Sequence, residues 1–145
     1  MARSRFTGPL NIDHFGWLAP WYERVIRQPD VGMLVHLLEA TRDHTLLDVG
    51  GGTGRVAQHF TELVDAAWVL DLSLGMLREV AGNSRLRPCL GKSEQIPFRD
   101  GSFSRILAVD SFHHFQNHHR AAGELLRVLS PGGRLVLEEP DIRRW

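Results

Sequence analysis

A single cysteine, Cys89, excludes an intramolecular disulfide, and with it the small oxidised scaffolds typical of secreted proteins. It lies among apolar residues and reads as a buried structural thiol. No apolar run approaches the roughly 18 residues that cross a membrane as a helix. The opening Met1-Ala2-Arg3-Ser4-Arg5-Phe6 lacks the apolar stretch of a secretory signal. Neither sign of charge dominates, with 17 basic residues against 17 acidic, so the overall balance does not point to nucleic acid or an anionic membrane. There is no internal repeat and no low-complexity tract. What remains is an ordinary globular composition, 43% hydrophobic and 23% charged, over 145 residues. That length suits one domain. A cytoplasmic protein is expected.

Residues 1–28 read as an extension that packs on the core. They carry Gly8, Pro9, Gly16 and Pro20 with Phe15, Trp17, Trp21 and Tyr22, and predict a short helix from about Pro20 to Arg27. The core domain is expected over residues 29–145. Pro29-Asp30 starts a helix with Met33, Leu34, Leu37 and Leu38 at helical spacing. Thr45 to Val49 is a short apolar run ending in glycines, as in a buried strand. Val56, Phe60, Leu63 and Val64 mark one face of a helix. Ala67 to Leu70 reads as a second strand, and Leu74 to Val80 as a helix capped by Ser73. Leu86 to Leu90 is a third strand, which Pro88 demotes to an edge. Phe103 to Val109 is a fourth. Ala121 to Leu129 is a helix with Leu125, Leu126 and Leu129 inward, stopped by Pro131-Gly132-Gly133, and Arg134 to Glu138 is a fifth strand. Strand–helix alternation with short loops predicts an α/β, three-layer Rossmann-like fold, a parallel sheet with helices on both faces. Such sheets bind ligands beyond the carboxyl ends of their strands.

The glycines after the first strand, Gly50-Gly51-Gly52-Thr53-Gly54, would sit at such an end. A dinucleotide loop needs G-x-G-x-x-G, but from Gly50 the third glycine position falls on Arg55. This argues against a nicotinamide oxidoreductase. A phosphate-gripping loop ends in G-K-[ST], which Gly91-Lys92-Ser93 supplies, but its first glycine falls on Leu86. S-adenosylmethionine is the remaining candidate. It carries an ammonium and a sulfonium and no phosphate. Asp48, two residues before Gly50, would repel a pyrophosphate and suits a cation. Asp71 ends the second strand, 17 residues past Gly54, where a carboxylate accepts hydrogen bonds from a ribose diol.

The sequence here resembles the class I S-adenosylmethionine-dependent methyltransferases, and within them the branch related to the ubiquinone and menaquinone C-methyltransferases. The resemblance covers roughly residues 44 to 139. Leu46-Leu47-Asp48-Val49-Gly50-Gly51-Gly52-Thr53-Gly54 is similar to the family's first motif. Leu70-Asp71-Leu72-Ser73-Leu74-Gly75-Met76-Leu77 resembles its acidic second-strand end and following helix. Gly91-Lys92-Ser93-Glu94-Gln95-Ile96-Pro97-Phe98 with Gly101-Ser102-Phe103-Ser104 resembles the segment before the fourth strand, and Arg127-Val128-Leu129-Ser130-Pro131-Gly132-Gly133-Arg134-Leu135 the late loop and fifth strand.

The resemblance implies five strands in the order 3-2-1-4-5. It also implies roles. Asp48, Gly50, Gly51, Gly52 and Gly54 would line the methionine end of S-adenosyl-L-methionine. Asp71 would hold the ribose, with Leu72 and Met76 near the adenine and Ser93 and Glu94 at its edge. Asp110 and Ser111 would face the methyl group. The expected product is S-adenosyl-L-homocysteine. Two positions depart from the pattern. Lys92 stands where an acidic residue often meets the adenine amino group, and Ser104 where an aspartate is usual. The family's domain adds two strands and a helix after the fifth strand, whereas this chain stops at Trp145. The fifth strand is therefore expected to form an exposed edge, and the chain to self-associate through it.

Methyl transfer needs alignment and exclusion of water, and a base only where the acceptor must lose a proton. Asp110, His113, His114 and His118 are candidates for that base, with Asp110 and His114 preferred. His114 and His118 are four apart, as in a helical metal pair, but no carboxylate is interleaved and no cysteine partner exists, so no metal is expected. Glu124 and Arg127 read as an i, i+3 surface pair, and Arg143-Arg144-Trp145 as a solvated tail. The expectation is a methyltransferase acting on a small-molecule acceptor. The alternative is a non-catalytic S-adenosylmethionine- or S-adenosylhomocysteine-binding or regulatory protein derived from this fold.

Overall fold

In a computed structural model, the described residues are 28–141. The expected extension, with its helix from about Pro20 to Arg27, lies outside them apart from Gln28, as does the Arg143-Arg144-Trp145 tail. Five parallel strands form one sheet: β1 (Thr45–Val49), β2 (Ala66–Asp71), β3 (Leu86–Leu90), β4 (Phe103–Val109) and β5 (Leu129–Glu138). Their order is β3-β2-β1-β4-β5. β1 is central and is covered on both faces, which is why its sequence is nearly continuous in apolar residues. β3, with Pro88, is an edge, where a missing backbone donor does least harm. No helix among the described residues is long and apolar enough to cross a membrane.

Successive side chains of a strand point to opposite faces, so neighbouring leucines feed two cores. On one face, Leu46, Ala67, Val69 and Leu107 meet Leu34 and Leu38 of α1 (Val31–Leu38), Phe60, and Leu77 and Val80 of α2 (Leu74–Ala81). On the other, Leu47, Val49, Leu70 and Ile106 meet Ile96 with Leu125 and Val128 of α3 (His118–Val128). Each helix starts on a side-chain cap. Asp30 accepts from Met33 N–H at 3.0 Å, Ser73 from Met76 at 3.2 Å and Asn117 from Arg120 at 2.9 Å. Such caps contribute about 1 kcal/mol each.

Several local expectations are corrected. The helix expected across Val56 to Val64 is a 3-10 turn, Ala57–Phe60, followed by further turns. Side chains compete with the helical ladder there: Gln58 Nε2 donates to the Arg55 carbonyl and Thr61 Oγ1 to that of Gln58. Val56, Phe60 and Val64 are buried nonetheless. Leu126 points to solvent, because α3 buries the stripe Ala121, Leu125 and Val128, and Leu126 lies a sixth of the way or more around the helix from it. Met33 and Leu37 are exposed for the same reason beside Leu34 and Leu38. The Cys89 thiol is only half-buried, and desolvation raises its pKa. Pro131-Gly132-Gly133 does not separate helix from strand. α3 ends at Val128, and these residues bulge out of β5 between the pairs Phe103–Leu129 and Arg105–Arg134. Ser104 fills the place opposite the bulge; its hydroxyl accepts from Thr45 N–H at 3.1 Å and donates to the Thr45 carbonyl at 3.4 Å, tying β4 to β1.

Glu124 and Arg127 form more than a surface pair. Arg127 donates to the carbonyls of Ile96 and Phe98 at 2.9 and 2.8 Å and to Asp100 at 2.8 Å, while Glu124 takes Arg127 Nε at 2.7 Å and the Ile96 N–H at 2.7 Å. Together they clamp the 96–100 loop onto α3. Arg127→Ala leaves two carbonyls and two carboxylates without their donor, and a loss of about 2 kcal/mol is expected. Urea unfolding checks it; a midpoint equal to that of the unmutated protein would rule the clamp out as a stabilising element.

Candidate cofactor cleft

Beyond β1 the chain turns sharply on Gly50, at φ +70, and on Gly52, at φ +57. The Gly50 and Gly51 N–H groups both donate to the Leu70 carbonyl, at 2.7 and 3.3 Å, which folds the loop back over the end of β2. A Cβ on Gly50 would stand 2.6 Å from the Ser111 Cβ, and one on Gly51 2.6 Å from the Asp48 Cγ. Only glycine fits between these neighbours, so the loop backbone forms the floor of a cleft lined by Asp48, Gly50, Gly51, Gly52, Arg55, Val56 and Val109.

Asp48 lies under this loop and is 1% exposed. Its Oδ2 has no hydrogen-bond partner. Burial pushes its pKa up to about 7; the Asp71 charge adds to this, while Arg55 and the Ala57 N–H oppose it. Asp71 holds the loop from the other side. Its Oδ2 accepts the Gly52 N–H at 2.9 Å and its Oδ1 the Ser73 N–H at 2.8 Å. Beside Asp71 an apolar shelf faces solvent: Leu72 is 60% exposed, and Leu90, paired with Asp71 in register, is 56% exposed. Met76 is buried beneath, in α2.

Asp110 follows β4 at φ +51, a left-handed conformation that a non-glycine residue adopts at a cost of order 1 kcal/mol. Its N–H donates to the Glu138 carbonyl at 2.8 Å, and its carboxylate pairs with Arg55 at 3.2 Å. Ser111 is buried and donates to the Val49 carbonyl at 2.9 Å, so its hydroxyl braces the glycine loop. Ser93 and Glu94 lie together. Glu94 Oε2 accepts from Ser93 Oγ at 3.1 Å, and its Oε1 accepts the Gln116 and Asn117 N–H groups at 2.8 and 3.1 Å. That carboxylate is thereby committed to the loop before α3. His114 stands in a second 3-10 turn, Phe112–His114, and His118 begins α3, so the two do not share a helical turn. Lys92 is exposed at the end of β3. Two residues at the rim were not singled out from the sequence. Arg55 directly follows the last loop glycine, and its place inside the motif was the available signal. Glu139 lies past β5, and no spacing marks it.

The cleft therefore offers a buried carboxylate oxygen without a donor, a wall of glycine backbone, and a second carboxylate beside an exposed apolar shelf. Asp48 fits the cationic amino-acid end of S-adenosylmethionine, since a donor-bearing cation satisfies the orphaned oxygen and a pyrophosphate does not. A family model described as a methyltransferase domain matches residues 47–137. The chain belongs to the S-adenosylmethionine-dependent methyltransferases. It is 33% identical over 115 residues to a protein of Bacillus subtilis named as the uncharacterized methyltransferase YcgJ, covering 74% of this chain and 45% of that one. It is 32% identical over 111 residues to a demethylmenaquinone methyltransferase of Renibacterium salmoninarum, covering 74% and 46%. The crystal structure of YcgJ superposes with a TM-score of 0.71 at 30% identity, covering 74% of this chain and 48% of that one. That of the [4+2]-cyclase SpnF gives 0.71 at 26%, covering 75% and 43%. The chain thus spans about half the length of the curated relatives it matches.

In this methyltransferase domain Asp48 sets a pH signature. An acid whose folded value is raised holds its proton better folded than unfolded, so the proton favours the folded state. The contribution of Asp48 is complete below its unfolded value of about 4 and is lost as pH rises to about 7. Without ligand, the unmutated protein is expected to lose more stability between pH 4.5 and 7.5 than Asp48→Asn, whose amide mimics the protonated acid. Urea midpoints at the two pH values measure this; parallel slopes in the two proteins would contradict it.

Proposed function

We propose that this domain binds S-adenosylmethionine in the cleft and directs its methyl group to a small-molecule acceptor. The observation that carries the reading is the buried, unpartnered Asp48 oxygen beneath a glycine loop. S-adenosylmethionine supplies a methyl group already activated on a sulfonium. The residues have correspondingly modest tasks of holding, aligning and excluding water. In this reading Asp48 and the Gly50–Gly54 backbone receive the methionine end. Asp71 accepts from the ribose hydroxyls, and Leu72 and Met76 support the adenine. Ser93 and Glu94 border the base, where the exposed Lys92 offers a donor only. Asp110 and Ser111 close the side nearest the methyl group.

Isothermal calorimetry tests this directly. Saturable binding of S-adenosylmethionine and S-adenosylhomocysteine is expected, with none of NAD, and Gly50→Ala should weaken it by at least about a hundredfold, through the strained φ and the collision with Ser111. No binding at millimolar ligand would end the proposal. Binding without release of S-adenosylhomocysteine from any acceptor would leave a binding protein and remove the transferase.

The same reading extends to assembly. β5 terminates the sheet among the described residues and exposes Leu137. An uncovered strand edge offers unpaired backbone groups to another chain. A dimer at high concentration is expected in light scattering behind size exclusion; a strict monomer there would refute it.

A further inference from the structure

We propose that the nucleoside end of this site does not select for the 6-amino group of its purine, and that Lys92 suits it equally to a 6-oxopurine, the inosine form of the same ligand. This deepens the reading of the cleft as the S-adenosylmethionine site and rests on it. Strand order sets the direction in which such a ligand lies. The glycine loop and Val109 take the methionine end beyond β1 and β4, and Asp71 takes the ribose beyond β2. The next strand in the sheet is β3, so the base is carried towards the residues that follow Leu90.

Those residues are tied to Asp71. Leu90 is its partner in register, and the Gly91 N–H donates to the Asp71 carbonyl at 3.0 Å. Side chains alternate along this stretch. Leu86 joins the core on the α2 side. Cys89 packs on the opposite core, where a Cβ on Gly91 would also meet Leu70 and Pro97, at 2.9 and 3.2 Å. Leu90 and Lys92 therefore share the α2 side, and both are exposed. This places Lys92 at the outer margin of the apolar shelf that Leu90 forms with Leu72.

An adenine presents an amino donor at C6, whereas a 6-oxopurine presents an acceptor there. A site rejects the wrong one by holding a polar group that it would leave unpaired. No side chain at this margin does so against the oxo form. Lys92 only donates, which suits a carbonyl oxygen or a ring nitrogen. Gln95, bridged to Lys92 with its N–H on the Lys92 carbonyl at 3.1 Å, carries an acceptor and donors in one amide and serves either base. Glu94 is the nearby carboxylate in sequence, but it is drawn towards α3. Its Oε1 holds the Gln116 and Asn117 N–H groups at 2.8 and 3.1 Å, and its Oε2 holds the Ser93 hydroxyl at 3.1 Å. The apolar shelf itself supports any purine face. Deamination of the product nucleoside would therefore not free the site.

The test titrates the full chain with S-adenosylhomocysteine and with its inosine counterpart, S-inosylhomocysteine, by calorimetry. The two affinities should agree within about fivefold in the unmutated protein. Lys92→Glu puts an acceptor at the same margin and should shift the ratio towards the adenine form by about tenfold or more. Arg42→Glu makes the same change of charge in the exposed loop before β1, at the opposite end of the sheet, and should leave the ratio as it is. A stronger preference for the adenine form in the unmutated protein overturns the proposal, and this comparison needs no variant to fold. A smaller shift in a folded Lys92→Glu, or an equal shift in Arg42→Glu, overturns the part assigned to Lys92. Failure of the unmutated protein to bind either nucleoside overturns the cofactor reading instead.

Discussion

One carboxylate, that of Asp71, joins three elements that would otherwise be independent. It ends β2, receives the Gly52 N–H from the loop after β1, and receives the Ser73 N–H where α2 begins. Ser73 in turn caps α2 through Met76. The glycine loop has its own tie to the same strand end, through the Leu70 carbonyl. The loop is therefore anchored to β2 through both backbone and side chain. Without that anchorage a run rich in glycine would carry a large conformational freedom to be lost on binding. The anchorage places the loop's ordering on the folding side of the ledger, so a ligand meets a preformed wall.

The sheet was readable from the sequence because its signals are local and redundant. Thr45 to Val49, Ala67 to Leu70 and Phe103 to Val109 are short apolar runs bounded by turn residues, and each became a strand within a residue or so of its expected span. Ser73 announced α2 by capping chemistry alone. Periodicity misled where two assignments of the inward face were nearly equivalent. Leu125 and Leu126 are both apolar, and only packing against β4 and β5 decides which is buried. It misled again at Val56 to Val64, where the apolar spacing is helical but Gln58 and Thr61 take the carbonyls.

The cleft divides in the same way. Asp48, the glycines and Asp71 occupy one continuous motif and one strand end, so their proximity follows from strand order. Arg55 with Asp110, and His113 with Glu139, join residues 55 and 26 positions apart. Those pairings depend on where β4 and β5 end relative to the loop, which no local pattern encodes. The fold alone would not have supplied the chemistry either, since the superposable SpnF is a [4+2]-cyclase. A shared sheet therefore does not by itself identify a reaction.

On the proposed reading, the burial of Asp48 gives the cleft the character of an ion exchanger. Without ligand, burial holds its pKa up at about 7. A cation seated against its oxygen favours the carboxylate, so occupancy below about pH 7 expels hydrogen ion in return for the ligand's charge. The grip on a cationic ligand is then weaker in acid and levels off once the group is ionised beforehand. On the proposed reading, an aspartate buried beneath the glycine loop couples cofactor retention to the acidity of the surroundings.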